Sequence, residues 1–349
     1  MPVDPKSLLL RVDGHAGIGG GHVMRCLALA QAWQDAGGQA AFASAGLAPS
    51  LRARIVQEGF ACAAISAESG GAEDAASTAA KAKEISARTV VIDGYHFGPG
   101  FRTPLHGDGL LTMAIDDNGE ANPCADHLIL NQNIHAAPAL YPDAGSRTKL
   151  LLGTRYALLR REFRRSIRRN IRRDGVVRTI LVTLGAADRD NVTGSVIDAL
   201  RSLDLGGAAI EIVAGGANPH GAALSQACTA VPGARIVADP GAGMAELIAG
   251  TDLAITAGGT TMWELSAMGI PFIAVVVAEN QRLSALAMTA LGFPCVTAEN
   301  VIGKLPEKLR TLIGDGARRQ QLAAAGQRLV DGKGASRVCA EISKLALAT

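Results

Sequence analysis

Two glycine-rich passages hold the residue types that could do chemistry. The first reads Asp13-Gly-His-Ala-Gly-Ile-Gly-Gly-Gly-His22-Val-Met-Arg25. Glycines at 17, 19, 20 and 21 let a chain turn sharply and bring its amides close to a ligand. Helical periodicity follows at once, and a helix N-terminus favours an anion. His22 at that helix start could take a proton from a water molecule. It could equally cap or pack the helix. The second passage is Ala257-Gly-Gly-Thr-Thr-Met-Trp-Glu264. Its free amides and the Thr260 and Thr261 hydroxyls suit a diphosphate, and Glu264, one turn on, could accept both hydroxyls of a ribose. The plain alternative is a capped helix with a first-turn acid. The spacing is neither a Walker loop nor GxGxxG. Two further strand-to-helix passages are Leu184-Gly-Ala-Ala-Asp188-Arg-Asp-Asn191 and Glu279-Asn280-Gln281. The first could touch phosphate or ribose. The amides of the second could read sugar hydroxyls or cap a helix.

The elements that must position these residues alternate strand and helix. Short apolar runs predict strands at Leu8–Val12, Ala40–Ala43, Ala61–Ile65, Thr89–Ile92, Leu110–Ile115, His127–Leu130 and Leu150–Leu152. Helices fit Val23–Ala36, Leu51–Glu58 and Ala72–Ala87. The second half repeats the theme, with strands at Thr179–Thr183, Ile210–Val213, Leu253–Thr256 and Phe272–Val277. The last is apolar throughout, as when both faces of a sheet are covered. This pattern predicts an α/β protein with two parallel, doubly wound domains. Asp93 and the pair Asp116-Asp117 end strands. The pair is adjacent rather than spaced for a metal and is read as structural.

Composition narrows the function classes. The chain has 349 residues, 48% of them hydrophobic, so it can bury a sizeable core. Aromatics are only 3%, which argues against a base-stacking nucleic-acid platform. The six cysteines, at 26, 62, 124, 228, 295 and 339, form no CxxC pair and read as reduced thiols. No clustered ligand set points to a metal, and no cofactor is implied. The N-terminus lacks a signal-peptide pattern and no apolar run is long enough to span a bilayer, so a cytoplasmic monomer is expected.

One segment stands apart in charge. Arg160–Arg173 holds eight arginines and one glutamate, a net +7 against +2 for the whole chain. Leu159, Phe163, Ile167 and Ile171 form an apolar stripe opposite, which predicts an amphipathic helix with a dense basic face. A solvated surface helix is one reading. Attraction to an acidic partner or an anionic membrane surface is the other.

Taken in order, several motifs resemble one family. The string RVDGHAGIGGGHVMRCLALA, then VIDGYHF (Val91–Phe97), IDDN (Ile115–Asn118), LLGTRYALLRREF (Leu151–Phe163), AGGTTMWE and ENQ are similar to the PseG family. Its members hydrolyse UDP-2,4-diacetamido-2,4,6-trideoxy-sugars on the route to pseudaminic acid, used in surface glycan or flagellin glycosylation. The second half also resembles MurG-like GT-B glycosyltransferases. The resemblance implies two Rossmann-like domains facing each other across a cleft, with UDP held mainly by the second. Domains are expected at 1–155 and 177–330. A basic linker would lie at 156–176, and a terminal helix at 331–349 would pack back on the first domain. The resemblance makes His22 the base for an inverting attack by water and Asn280 a catalytic or sugar-orienting residue. Asp13, Gly20, Gly21, Arg25 and Tyr95 would lie near the substrate. Gly185, Asp188, Gly258, Gly259, Thr260 and Thr261 would face the diphosphate, Glu264 the ribose, with Gln281 beside them. One departure is visible: Ala186 stands where the family has glycine. A GT-B transferase using a UDP-amino sugar and another acceptor is the alternative.

Overall fold

The computed structural model describes residues 4–15, 18–121, 126–145, 147–167, 175–185, 188–215 and 218–348. The chain divides into two compact units. The first comprises Met1–Arg161 with Gly332–Thr349, the second Glu162–Asp331.

The first unit is built on seven parallel strands: β1 (Asp4–Val12), β2 (Gln39–Ser44), β3 (Ala61–Ala64), β4 (Ala87–Asp93), β5 (Leu111–Ile115), β6 (Leu128–Asn131) and β7 (Lys149–Leu152). Their order in the sheet is β3-β2-β1-β4-β5-β6-β7. Successive strand residues point to opposite faces, and both faces are covered. Leu8, Leu10 and Val12 pack in the cluster with Val23 and Leu27 of the helix Gly21–Asp35. Leu9 points the other way, into a cluster with Ala75, Phe101 and Leu105. Ala335, Val338 and Ile342 of the C-terminal helix Gly334–Ala348 complete the first cluster.

The second unit carries β8 (Thr179–Thr183), β9 (Ala209–Ala214), β10 (Ala234–Ala238), β11 (Leu253–Ala257), β12 (Phe272–Val276) and β13 (Cys295–Thr297). Their order is β10-β9-β8-β11-β12-β13, again all parallel. Both sheets therefore run outward from a central first strand and then reverse. In each, the reversal opens between the first strand and the fourth. Ligands of open α/β sheets bind at that switch point, beyond the carboxyl ends of the strands.

The arginine-rich run is described only in part. Its described helix is only Arg161–Ser166, and positions 168–173 lie outside the described residues. Arg160 is buried, and Arg161 pairs with Asp35 at 2.8 Å while its backbone N–H donates to Gln31. Those two guanidinium groups are tied to the protein rather than presented as an open basic face. Among the described residues no helix is long and apolar enough to cross a membrane. The described cysteines are free thiols, and Cys124 lies outside the described residues.

Candidate functional site

The switch point of the first unit gathers a buried charged cluster. His22 is the second residue of the helix Gly21–Asp35, which starts directly after the turn at Gly19 (φ +86°). Arg25 stands three residues on, on the same helix face. Both reach Asp93, the last residue of β4. His22 Nδ1 lies 2.6 Å from Asp93 Oδ1, and Arg25 Nε donates to Oδ2 at 2.6 Å. Arg25 also grips Asp117, just beyond β5, donating from Nη1 to both oxygens at 2.8 and 3.0 Å. Asp117 further accepts from Tyr95 Oη at 2.7 Å and from Asn133 Nδ2 at 2.7 Å. The Tyr95 ring closes the circuit, standing edge-on to His22 with centroids 4.9 Å apart.

The electrostatics follow from this pairing. Burial pushes the Asp93 carboxyl up, but the Arg25 charge and the hydrogen bonds from Arg25 and His22 outweigh it and hold it below the usual range. Burial acts likewise on Asp117, and Arg25 again prevails. For Arg25, burial opposes the charge while Asp117 and Asp93 restore it, so the guanidinium stays protonated. An ionised carboxylate can only accept, so His22 must carry its proton on Nδ1 and donate it to Asp93. That leaves the lone pair on Nε2, for which no protein partner exists among the described residues. His22 is 8% exposed. Two carboxylates against one guanidinium leave the cluster one negative charge in excess, which an imidazolium would balance. The arrangement suits a general base.

Some expected contacts are internal instead. Asp13 was expected beside substrate but is 2% exposed, with both oxygens occupied. Oδ1 accepts from Arg11 Nη1, Ser44 Oγ, and the amides of Ala45 and Gly46; Oδ2 accepts from Ser69 Oγ and His96 Nε2. Arg25, expected at the substrate, is spent on its two aspartates. Gly20 caps the helix and Gly21 opens it, and a Cβ at Gly21 would meet nothing within 4 Å. Tyr95 is 44% exposed, with its hydroxyl committed to Asp117.

In the second unit, the predicted loops stand at the ends of β8, β11 and β12. Gly185 turns at φ +101°. Asp188 was expected at the diphosphate, but its carboxylate caps the helix Val192–Arg201, accepting from the amides of Val192 and Thr193 at 2.9 Å each. A carboxylate already occupies the place an anion would take. Ala186 lies outside the described residues. The Gly258 amide donates to Gln281 Oε1 at 3.1 Å, as does that of Val277. Gln281, expected to touch substrate, thus stitches two strand ends together. A Cβ on Gly258 would meet that of Gln281 at 3.0 Å, so this glycine answers to Gln281. Gly259, Thr260 and Thr261 remain half-buried at the start of the helix Thr261–Ala267, with Glu264 buried in its first turn. Asn280 is exposed in the short turn Glu279–Gln281. Among the described residues no group of three or more His, Cys, Asp or Glu is placed to hold a metal.

Comparison with solved structures decides the architecture. MurG of Acinetobacter baumannii superposes with a TM-score of 0.64 at 16% identity, covering 97% of this chain and all of that one. The fold is of the GT-B type. Anabaena HepE, solved in complex with UDP and glucose, gives a TM-score of 0.61 at 14% identity over 98% of this chain and 100% of its own. Residues 236–336 match the Glycosyltransferase family 28 C-terminal domain. A curated relative, the spore coat polysaccharide biosynthesis protein SpsG of Bacillus subtilis, is 27% identical over 253 residues, 68% of this chain and 70% of that protein. The family match spans Thr260, Glu264 and Asn280, so the GT-B likeness in the second half rests on sequence as well as on fold.

Sequence reasoning missed Asp93 as the partner of His22 and Asp117 as the partner of Arg25. Asp93 was visible only as a strand end, and Asp116-Asp117 was read as one structural pair. The structure splits that pair. Asp116 accepts from the amides of Asn118, Gly119, Glu120 and Ala121 and shapes the loop. Asp117 joins the site.

Proposed function

We propose that this protein acts on a nucleotide-diphosphate sugar, with His22 as general base for attack on the anomeric carbon. The observation that carries this reading is the Asp93-oriented His22, whose Nε2 has no protein partner among the described residues. The SpsG, MurG and HepE likenesses support sugar chemistry on this fold. In the hydrolytic form, His22 Nε2 takes a proton from water as the water oxygen bonds to the anomeric carbon. The bond from that carbon to the phosphate oxygen breaks on the opposite face, UDP leaves and the configuration inverts. The backbone dipoles at Gly259–Thr261 would stabilise the departing diphosphate, with Glu264 toward the ribose and Asn280 toward the sugar. The motif resemblance to PseG makes a UDP-2,4-diacetamido-2,4,6-trideoxyhexose the substrate to try first.

The family 28 match favours a second reading, in which the same base activates a sugar hydroxyl and the sugar is transferred. One experiment separates them: incubate the protein with UDP-diacetamido-sugars without acceptor, and follow UDP release and the emerging anomer by NMR. Release at catalytic rates in the absence of an acceptor supports hydrolysis. No release alone, but release once an acceptor is added, supports transfer. His22→Ala should lose about 10²–10⁴-fold in kcat while still binding UDP. Near wild-type turnover in that variant would remove His22 from the mechanism.

A further inference from the structure

A second carboxylate-oriented histidine stands at the same switch point. His96 follows Tyr95, whose ring packs on His22, and its Nε2 lies 3.0 Å from Asp13 Oδ2 at the end of the neighbouring strand β1. Val12, the last residue of β1, pairs with Asp93 in register, so Asp13 follows one residue beyond that pair and its side chain takes the opposite face of the sheet from that of Asp93. The His96 ring is braced by its neighbours. It leans on Phe97 with centroids 4.0 Å apart, and a Cβ on Gly94 would touch its Cε1 at 2.8 Å. Asp13 is itself rigid. Arg11 binds it and is locked in turn by Asp74 at 2.9 and 2.7 Å, with its guanidinium 4.7 Å from the centroid of the Phe97 ring. All this organisation bears on one imidazole that is 28% exposed.

The tautomer follows from the partner. Burial raises the Asp13 carboxyl, but His96, Arg11 and Ser69 together drive it far below the usual range, so it is ionised and accepts only. His96 must therefore donate from Nε2. Its Nδ1 has no partner among the described residues. His22 is held in the opposite sense, with Nδ1 bound and Nε2 open.

We infer that His96 is a substrate-contacting residue of this site, its Nδ1 accepting a hydrogen bond from an N–H or O–H donor on the sugar. The inference rests on the nucleotide-sugar reading above. It predicts that His96 sets affinity for the sugar while leaving the nucleotide's affinity alone.

Two substitutions separate contact from structure. In His96→Gln the amide nitrogen falls near the place of Nε2 and can still donate to Asp13, but the Nδ1 acceptor is lost. In His96→Asn the amide oxygen falls near Nδ1 and restores an acceptor, at the expense of the Asp13 bond. The measurement is calorimetric binding of UDP, UDP-N-acetylglucosamine and UDP-glucose to wild type and both variants, with melting temperatures alongside. For His96→Gln we expect unchanged UDP affinity, an unchanged melt and about tenfold weaker binding of the UDP-sugar. His96→Asn should recover most of that loss. A deficit confined to the acetamido sugar identifies an amide N–H as the donor; a deficit with both identifies a hydroxyl. If His96→Gln binds both UDP-sugars as wild type does, the ring is only a brace for Asp13 and the inference fails. If wild type binds none of the three, the nucleotide-sugar reading fails first and takes this one with it.

Discussion

Asp93 decides which nitrogen of His22 can act. Its carboxylate takes the Nδ1 proton and is held ionised by Arg25, so Nε2 is the basic nitrogen before any substrate arrives. Asp93→Asn removes that choice, because an amide can pair with either tautomer. We expect a fall in kcat of about 10²–10⁴-fold with little change in UDP affinity. Ring-nitrogen NMR should show His22 moving from a pure Nδ1–H form to a mixture. A variant that keeps both rate and tautomer would mean that Asp93 merely balances charge. His22 itself was legible, since a histidine after a glycine-rich turn at a helix start is a local pattern. Its partner was not: 71 positions separate the two, and only the adjacency of β1 and β4 joins them.

At the scale of elements, apolar strands and their carboxyl ends could be read from sequence, including the short edges of the first sheet, while the edges of the second could not. The missed strands β10 and β13 are the two edges of the second sheet, and β13 has only three residues. An edge strand need not be apolar on both faces, so β10 mixes half-buried with exposed positions and carries no strong pattern. The helix Pro99–Gly107 was missed because its sequence, PGFRTPLHG, opposes helix by propensity. Phe101 and Leu105, one turn apart and fully buried, hold it by packing. The C-terminal helix Gly334–Ala348 gives the element-scale test. A Cβ on Gly334 would overlap the carbonyl of Ala157 and the backbone of Tyr156, which cannot swing aside. Gly334→Ala should cost about 1–3 kcal/mol, lowering Tm by roughly 2–12 °C. Gly303→Ala, inside the helix Val301–Gly314 with open space around its Cβ, is the matched control and should be neutral or stabilising. Equal effects of the two would mean that the terminal helix is not docked through Gly334.

Across the whole molecule one sheet topology is used twice, but the ionisable burden is not shared. The buried carboxylates held below their usual range, Asp13, Asp93 and Asp117, all lie in the first unit. So do His106 and His127, whose imidazoles burial pushes down against the opposing charge of Asp126. The signs run together. A histidine with a depressed folded value contributes stability above its ordinary value of about 6.5 and loses it as pH falls below that. A depressed carboxylate contributes stability above its ordinary value of about 4 and loses it as pH falls further. Acid therefore weakens the first unit in two stages. In the second, the one described carboxylate held low is Glu299, which is exposed and so weakly coupled to folding. The chain's two tryptophans make this measurable, because Trp33 is buried in the first unit and Trp263 in the second. With Trp33→Phe and Trp263→Phe each leaving a single reporter, stability of the Trp33 signal against urea should begin to decline below about pH 6.5 and fall steeply below about pH 4. The Trp263 signal should hold longer. Coincident transitions at every pH would show that the two units unfold as one cooperative body. A Trp263 signal lost first would contradict the charge distribution on which the order depends.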